Sequence, residues 1–322
     1  MSFSSDIKEE LSRQLSRAMH CQMAEIAAII SMCGSILISD KEQYAVRIQT
    51  ENIAVARKYF TLLKKTFNIK TEVLIRQNMN FLKNRTYVVL VKTHEDSLRL
   101  LKATKLVNQK MEIGETLSLV NNLLIQKSCC KRSFIRGAFL ATGSISDPRK
   151  SYHFEIVCVS RNKAEQLKEI INSFAMEAKI VQRKKYFVVY LKEGAQIVDI
   201  LNVMEAHVAL MNLENVRILK EVRNSVNRKV NCETANIHKT VNAAVKQIED
   251  IQYIQSRSGF KSLSEGLEEI ARLRLEQPEA TLKELGMMLT PPVGKSGVNH
   301  RLRKLSTLAE ELRESKEENY YD

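Results

Sequence analysis

An internal repeat constrains the fold of this chain more than any other sequence feature. Two segments 109 residues apart each contain a helix of apolar and small residues that ends at a Gly-Ser pair, Gly34-Ser35 and Gly143-Ser144. Cys21 and Cys130 lie at the same offset. Self-similarity at a fixed spacing is the signature of a duplicated structural unit. The sequence therefore predicts two similar units related by pseudo-two-fold symmetry.

Each copy continues with the same order of predicted elements. The alternation of apolar residues predicts a strand in each copy, at Tyr44, Val46 and Ile48 and at Phe154, Ile156 and Cys158. Asn52 and Asn162 are placed to cap the next helix, and Glu165 completes a capping box in the second copy. Further strands are predicted near residues 71–76, 85–92, 178–183 and 186–192, and helices over 96–107 and 196–207. The predicted fold is α+β, with a duplicated αββαββ unit.

Small residues concentrate in the first helix of each copy and predict that the two helices pack closely. They are Ala27, Ala28, Ser31 and Gly34 in the first copy, and Gly137, Ala138, Ala141 and Gly143 in the second.

A small-residue helix closed by glycine, present twice in an αββαββ repeat, resembles the LAGLIDADG homing-endonuclease family. The resemblance implies that the two helices pack together, that the sheets form a saddle over the DNA major groove, and that an acid before each terminal glycine binds the catalytic metal. Those acid positions hold Cys33 and Thr142 here. A hard divalent cation needs carboxylate oxygens, and Asp40 and Asp147 lie several residues further on, in the following turns. No catalytic residue, metal or cofactor is therefore predicted.

The charge distribution favours a polyanionic partner. The net charge is +13, from 50 Lys and Arg against 37 Asp and Glu. One acid, Glu72, lies between Asn52 and His94, against nine basic residues: Arg57, Lys58, Lys64, Lys65, Lys70, Arg76, Lys83, Arg85 and Lys92. No acid occurs from Thr116 to Ser146, where Lys127, Lys131, Arg132 and Arg136 are present, and the segment around Arg183, Lys184, Lys185 and Lys192 is also basic. Such charges mostly contact phosphates. Composition alone does not separate DNA, RNA and an anionic membrane.

The six cysteines form no CxxC pair, which predicts reduced, largely buried thiols in a reducing compartment. His20 beside Cys21 could contribute to a metal site, but no second pair follows at ligand spacing. The N-terminus predicts a serine-capped amphipathic helix and not a signal peptide. The longest apolar stretch, residues 24–32, is too short to cross a bilayer, so no membrane partner is expected. The expected location is the bacterial cytoplasm, in association with the nucleoid.

After His207 the pattern becomes wholly helical. Residues 211–231 are predicted to form a charged helical connector, followed by helices over 234–255 and 262–275. Three of the four prolines, Pro278, Pro291 and Pro292, follow in the rest of the chain and predict breaks between its helices.

The last part of the chain predicts a helix-turn-helix. Thr281 can cap a short helix with an apolar stripe, Thr290–Lys295 forms a turn, and Ser296 can cap a second helix. That helix buries Val298, Leu302 and Leu305, and no acid occurs between Pro291 and Leu308. The apolar stripe comprises Leu282, Leu285, Met288 and Leu289.

Asn299 and Arg301 are predicted to contact base edges, and Lys295, Arg303, Lys304 and the amides at the helix start to contact phosphates. The full set of predicted DNA-binding residues is Thr281, Lys283, Lys295, Ser296, Gly297, Asn299, His300, Arg301, Arg303 and Lys304. The alternative is a surface helical hairpin whose basic face is only solvated.

This order of features closely resembles the WhiA family of bacterial regulators over essentially the whole chain. The segments that carry the resemblance are SFSSDIKEEL, NCETANIHKTV and EATLKELGMMLTPPVGKSGVNHRLRKL. The resemblance implies a non-catalytic, sequence-preferring DNA-binding protein that regulates transcription. It also implies a role in cell division and chromosome segregation, and in sporulation in some bacteria. The predicted domains are residues 1–126 and 127–210 for the repeats, 211–231 for the connector, 232–313 for the helix-turn-helix and 314–322 for an acidic tail.

Three functional alternatives stay open from the sequence. The saddle could add phosphate contacts to double-stranded DNA that the helix-turn-helix reads. It could instead be a platform for division or transcription proteins, with DNA bound only by the C-terminal domain. A residual nuclease is the third alternative. For the fold, the alternative to a LAGLIDADG-like region is an unrelated duplicated α+β protein with ordinary small-residue packing helices.

Overall fold

The computed structural model describes residues 2–39, 43–77, 85–106, 120 and 122–318, with side chains as far as residue 314. The chain divides into two compact units, Met1–Glu221 and Val222–Asp322. Among the described residues, no helix is both long enough and apolar enough to span a membrane. Asp40, Lys83 and Val107, which entered the sequence predictions, lie outside the described residues.

The first unit contains the duplication predicted from the sequence, preceded by a helix that Ser2 caps. The elements up to the end of the first copy are α1 (Phe3–Arg13), α2 (Met19–Cys33), β1 (Gly34–Ile38), β2 (Tyr44–Thr50), α3 (Ile53–Phe67), β3 (Glu72–Gln77), β4 (Arg85–Val91) and α4 (His94–Ala103). The second copy comprises α5 (Ser128–Thr142), β5 (Gly143–Ile145), β6 (Phe154–Cys158), α6 (Arg161–Asn172), β7 (Lys179–Arg183), β8 (Tyr186–Leu191) and α7 (Gly194–Met204).

The two copies form equivalent antiparallel four-stranded sheets, ordered β1-β2-β4-β3 and β5-β6-β8-β7. Alternate strand residues face the helices, as the period-two pattern predicts. Val46 and Ile48 in the first copy, and Phe154 and Ile156 in the second, are fully buried. The α+β prediction and the αββαββ order are therefore confirmed.

Helices α2 and α5 pack against each other at the centre of the first unit, and a glycine sets their separation. A Cβ atom added to Gly137 would lie 2.6 Å from the Glu25 carbonyl oxygen and 2.9 Å from the Ala28 Cβ. Any side chain at position 137 would push the backbones apart, because a packed interior has almost no free volume there. The predicted role of small residues in this contact is confirmed at Gly137 and Ala28.

Two local predictions in the first unit are wrong. The predicted cap of α6, Asn162, lies inside the helix, because the Ser160 hydroxyl accepts from the Lys163 amide and starts the helix two residues earlier. Glu165 consequently forms an ion pair with Arg161 one turn before it, rather than a capping box. Asn52 does cap α3, and its Oδ1 accepts from the Ala54 amide at 2.8 Å.

The described residues of the second unit form helices joined by turns, with no strand. Its elements are the later part of α8 (His207–Arg257), then α9 (Glu265–Glu276), α10 (Leu282–Met288) and α11 (Lys295–Glu318). The predicted connector and the helix after it are one continuous helix, because no proline or glycine interrupts residues 207–257. The core packs Ile251 and Ile254 of α8 and Ile270 of α9 against the last two helices.

Candidate nucleic-acid interface

The predicted helix-turn-helix is formed by α10, a turn and α11. Thr281 and Glu284 form a capping box at the start of α10, in which Glu284 Oε2 accepts from the Thr281 amide at 2.7 Å. These hydrogen bonds hold the pKa of Glu284 below its ordinary value. On α11, Val298, Leu302 and Leu305 are buried, as their spacing predicts.

The turn between the helices is held close to α10 by Gly286. The Val293 amide donates to the Gly286 carbonyl at 2.9 Å, and a Cβ at position 286 would lie 2.1 Å from the Val293 carbonyl oxygen. The turn therefore packs directly on the α10 backbone. The Gly294 carbonyl accepts from the Val298 amide, so α11 begins at Lys295 and the predicted cap, Ser296, lies within its first turn.

Helix α9 fixes both the turn and α11. Glu269 Oε1 accepts from the Thr290 amide at 2.8 Å, and Glu269 Oε2 lies 4.0 Å from Arg301 Nη1. Arg301 Nη1 also donates to the Gly266 carbonyl at 3.3 Å. These contacts connect α9 with the turn and with α11.

Polar and basic side chains form an exposed stripe along α11, which we call the recognition stripe. Residues three, four and seven positions apart share a helix face, so these side chains point the same way, opposite the buried Val298 and Leu302. Among the described side chains, neither Arg303 nor Lys304 forms an ion pair. The recognition stripe comprises Ser296, His300, Arg303, Lys304 and Thr307, all exposed.

A cleft flanks one side of the recognition stripe. Its lining includes Lys295 and Asn299 from α11 and Thr281 and Lys283 from the start of α10, together with part of α8 and the end of α9. Four of the predicted DNA-binding residues are therefore brought together here, beside the stripe. Asn299 is half-buried, whereas the other three are exposed.

Asn299 and Arg301, the two predicted base readers, lie on different flanks of α11. Residues two positions apart on a helix do not face the same direction. Asn299 lines the cleft, whereas Arg301 packs on α9, where its guanidinium comes within 3.3 Å of a Cβ position at Gly266. The structure therefore gives Arg301 hydrogen-bond partners within its own unit. Gly297 is half-buried and lies against Val293.

The open sheet faces of the first unit, which point away from the helices, mix charged and apolar side chains. In the first sheet, Arg47 and Arg76 share this face with Leu74 and Leu90. In the second sheet Glu155 occupies the centre of the face, and its Oε2 accepts from Arg183 at 2.8 Å and lies 3.0 Å from His153 Nε2. Burial acts to raise the pKa of Glu155, but hydrogen bonds from His153 and Ser144 outweigh it and lower the pKa.

Part of the predicted basic surface is inside the protein. Lys58 is 1% exposed, and its Nζ lies 3.1 Å from Glu25 Oε1. The same carboxylate oxygen accepts from Arg136 Nε at 3.2 Å, and Arg136 Nη1 pairs with Glu205 at 2.7 Å. Two acids and two bases therefore neutralise one another, and the expectation that Lys58 and Arg136 contribute to a DNA surface is wrong.

The former acid positions hold no carboxylate and adjoin two lysines. Cys33 ends α2 and donates to the Ile29 carbonyl, and Thr142 ends α5. Burial raises the pKa of the Cys33 thiol to about 12 and lowers that of Lys8 to about 8. Lys163 donates to the Ser31 carbonyl and is close enough to Cys33 for their charges to interact. Neutral groups beside two lysines form a poor site for a divalent cation.

The cysteine prediction needs a correction. Cys21, Cys130 and Cys158 are buried, but Cys129 and Cys232 are exposed. The second pair of ligands that the sequence lacks at short spacing is supplied by the fold, because Cys129 and Cys130 lie beside His20 and Cys21. The repeat offset of 109 residues, which relates His20 to Cys129 and Cys21 to Cys130, was the sequence signal for this cluster.

Comparison with known proteins gives a consistent set of matches. Three family sequence models match the chain. The WhiA N-terminal LAGLIDADG-like domain matches residues 19–107, and the WhiA LAGLIDADG-like domain matches residues 131–223. The WhiA C-terminal HTH domain matches residues 226–309. The crystal structure of a full-length WhiA protein from Thermatoga maritima has the same fold, with a TM-score of 0.60 and 23% identity over 97% of this chain and 99% of that one.

Two relatives are similar over their full lengths. A protein of Lachnoclostridium phytofermentans named "Probable cell division protein WhiA" is 58% identical over 98% of this chain and 100% of its own. A protein of Alkaliphilus oremlandii with the same name is 50% identical over 99% and 100%. The duplicated LAGLIDADG-like region, the C-terminal helix-turn-helix and these full-length similarities together show that the chain belongs to the WhiA family.

Proposed function

We propose that the chain is a non-catalytic, sequence-preferring DNA-binding protein that regulates transcription, and that recognition is carried by the recognition stripe of α11. The observation that supports this most is the free basic charge of the stripe, since Arg303 and Lys304 form no ion pair among the described side chains. An uncompensated basic helix face, mounted on a helix-turn-helix, is suited to the DNA major groove.

The residues of the stripe and the cleft divide into two chemical roles. Arg303, Lys304, Lys295 and Lys283 supply charge for phosphates, together with the hydroxyls of Thr281 and Ser296 and the amides around Gly297. Asn299 and His300 supply side chains that hydrogen-bond base edges. We assign Arg301 to positioning, because its contacts with Gly266 and Glu269 hold α11 against α9.

Substitutions of Asn299 and Arg301 should have different effects on DNA binding, because Arg301 positions α11 whereas Asn299 contacts a base. Asn299→Ala should weaken a preferred site by about 1–3 kcal/mol and leave bulk DNA binding unchanged, because only a base contact is lost. Arg301→Ala should lower the unfolding temperature of the protein and weaken both kinds of DNA together. Competition binding with specific and random duplexes measures both outcomes. Equal losses on both duplexes for Asn299→Ala would contradict base reading by this residue.

We further propose that the former nuclease site does not cleave DNA. Cys33 and Thr142 offer no carboxylate to a hard cation, and Lys8 and Lys163 add positive charge near Cys33. Supercoiled plasmid incubated with the protein and Mg²⁺ or Mn²⁺ should stay supercoiled. Accumulation of nicked or linear plasmid, absent from a Cys33→Ala control, would contradict the assignment.

The biological setting is proposed from the family. The relatives carry the name of a cell division protein, and the resemblance adds chromosome segregation, with sporulation in some bacteria. We propose that the chain acts in cell division and chromosome segregation from the nucleoid, through the genes it regulates. Genome-wide immunoprecipitation of the bound DNA tests this, and sites scattered without relation to promoters would contradict a regulatory role.

A platform for protein partners is the second candidate function for the duplicated region of the first unit, α2–α4 and α5–α7 with their two sheets, which we call the saddle. Strand β3 lies at the edge of its sheet and exposes Val73, Leu74 and Ile75, of which Ile75 is 64% exposed. Aliphatic side chains favour protein contacts over phosphates. Ile75→Glu distinguishes the two: DNA affinity falls if this edge contacts DNA, because a negative charge is added, and it is unchanged if the edge serves a protein.

A further inference from the structure

The N-terminal ends of α2 and α5 bring together four side chains that the proposed DNA-binding function does not use. His20 and Cys21 are the second and third residues of α2, and Cys129 and Cys130 are the second and third residues of α5. The repeat relates the two pairs to each other. Because α2 packs on α5 about the pseudo-two-fold axis, equivalent positions of the two copies meet.

The four side chains converge on one point. Their potential ligand atoms all lie within 4.8 Å of one another. His20 Nδ1 is 3.2 Å from Cys130 Sγ and 3.3 Å from Cys21 Sγ. In a tetrahedral zinc site the bond lengths place a nitrogen and a sulfur ligand about 3.5 Å apart, and two sulfur ligands about 3.8 Å apart. Small side-chain adjustments would therefore complete a tetrahedral set.

We propose that His20, Cys21, Cys129 and Cys130 bind a Zn²⁺ ion that joins the two repeats. Three sulfur ligands and one imidazole are a set that structural zinc sites use, and they do not suit the hard cations Mg²⁺ and Ca²⁺. All four positions come from protein, which leaves none for a catalytic water.

Burial supports a structural role for the ion. Cys21 is 5% exposed and Cys130 is 4% exposed, and Ala18 and Ala24 pack around them. A disulfide would use only two of the four groups and leave His20 without a role, and neighbouring cysteines do not form an ordinary bridge. The cluster therefore fits a cation better than a redox pair.

The zinc content of the full chain tests the proposal. Protein purified with a reducing agent and without chelators should contain one zinc per chain by elemental analysis. Cys129→Ser should lose the zinc, because serine removes one sulfur ligand, and we expect the variant to fold because Cys129 is exposed. The matched control is Cys232→Ser, an equally exposed cysteine on α8, which should keep it.

Cobalt provides a second readout, in which the wild-type spectrum alone already reports the ligand set. Metal-free wild-type protein titrated with Co²⁺ should develop the absorption of a tetrahedral, sulfur-ligated ion, and Cys129→Ser should weaken the sulfur-to-cobalt absorption. Absence of zinc from wild-type protein even after titration with Zn²⁺ would overturn the proposal. Equal zinc in both serine variants would also overturn it. Four titratable thiols rather than six in denatured, unreduced protein would show a disulfide instead.

Discussion

The buried charges of the saddle and the exposed charges of the recognition stripe are used in opposite ways. In the saddle, Glu25 lies between Lys58 and Arg136, and the central acid of one open sheet face, Glu155, is paired with Arg183. In the C-terminal unit, Arg303 and Lys304 face solvent without an ion-pair partner among the described side chains. The difference teaches that net charge alone does not locate a DNA surface. Charges that a fold consumes internally are not available to phosphates.

The two units also have one feature in common: in each, a glycine allows two backbone segments to pack in direct contact. Gly137 lets α2 and α5 meet, and Gly286 lets the turn pack on α10. In the saddle the charged groups beside this contact, Glu25 and Arg136, are buried. In the helical unit the basic side chains of the recognition stripe are exposed.

Removing the central acid of the saddle should have the largest effect. Glu25→Ala leaves the buried Lys58 without a carboxylate partner and Arg136 with Glu205 alone, which should destabilise the first unit by about 3–5 kcal/mol. Urea unfolding measures the loss. Glu165→Ala, which breaks an exposed ion pair with Arg161, is the control and should cost about 0.5 kcal/mol or less. Equal losses would show that the buried network contributes no more than a surface pair.

A side chain at position 286 should separate the turn from α10. Gly286→Ala places a Cβ 2.1 Å from the Val293 carbonyl oxygen, so we expect a loss of about 1–3 kcal/mol in the C-terminal unit and weaker DNA binding. Gly294→Ala is the matched control, because no atom lies within 4 Å of its Cβ position. Thermal unfolding and DNA titration check both variants. Unchanged DNA binding by a folded but destabilised Gly286→Ala protein would separate the turn geometry from recognition.

Lys8 should destabilise the saddle at neutral pH, because burial lowers its pKa from the ordinary 10.5 to about 8. Below pH 8 the lysine is charged in both states, and the folded protein pays the cost of burial. Between pH 8 and 10.5 the unfolded chain binds more protons than the folded one, so stability rises with pH. Lys8→Met should therefore stabilise the protein by about 1–2 kcal/mol at pH 7, after a discount for partial exposure.

The pH profile separates this effect from better packing of methionine. The advantage of Lys8→Met over the wild type should shrink as pH rises from 8 towards 10.5, when the wild-type lysine loses its charge. Denaturant unfolding of both proteins at several pH values gives the difference. An advantage that does not change with pH would show that packing, and not charge, explains it.

The sequence predicted the parts of the fold that repeat or alternate. The duplication, the strands around Val46 and Ile156, and the buried face of α11 each depend on a pattern that is local or periodic. Helix starts were less predictable, because several capping residues occur close together. Ser160 was chosen over Asn162, and Gly294 precedes a helix that Ser296 was expected to cap.

The features that sequence reasoning missed depend on contacts between distant residues. Lys58 and Arg136 look like surface residues until α2, α3 and α5 place them around Glu25. The same applies to Arg301, which a helix pattern assigns to an exposed flank but which α9 engages through Gly266. His20 and Cys129 also meet only through the pseudo-two-fold axis. Of these, only the last carried a signal in the sequence, namely the common offset of the two copies.

The salt dependence of DNA binding tests most directly whether recognition belongs to α11 rather than to the saddle. Two double variants of the full chain are compared: Arg303→Ala with Lys304→Ala on the recognition stripe, and Arg76→Ala with Lys179→Ala on the open sheet faces. The first should reduce the slope of log K against log salt by about 2, because two phosphate contacts are lost, and the second should leave it unchanged. A reduced slope only for the saddle variant would contradict recognition by α11.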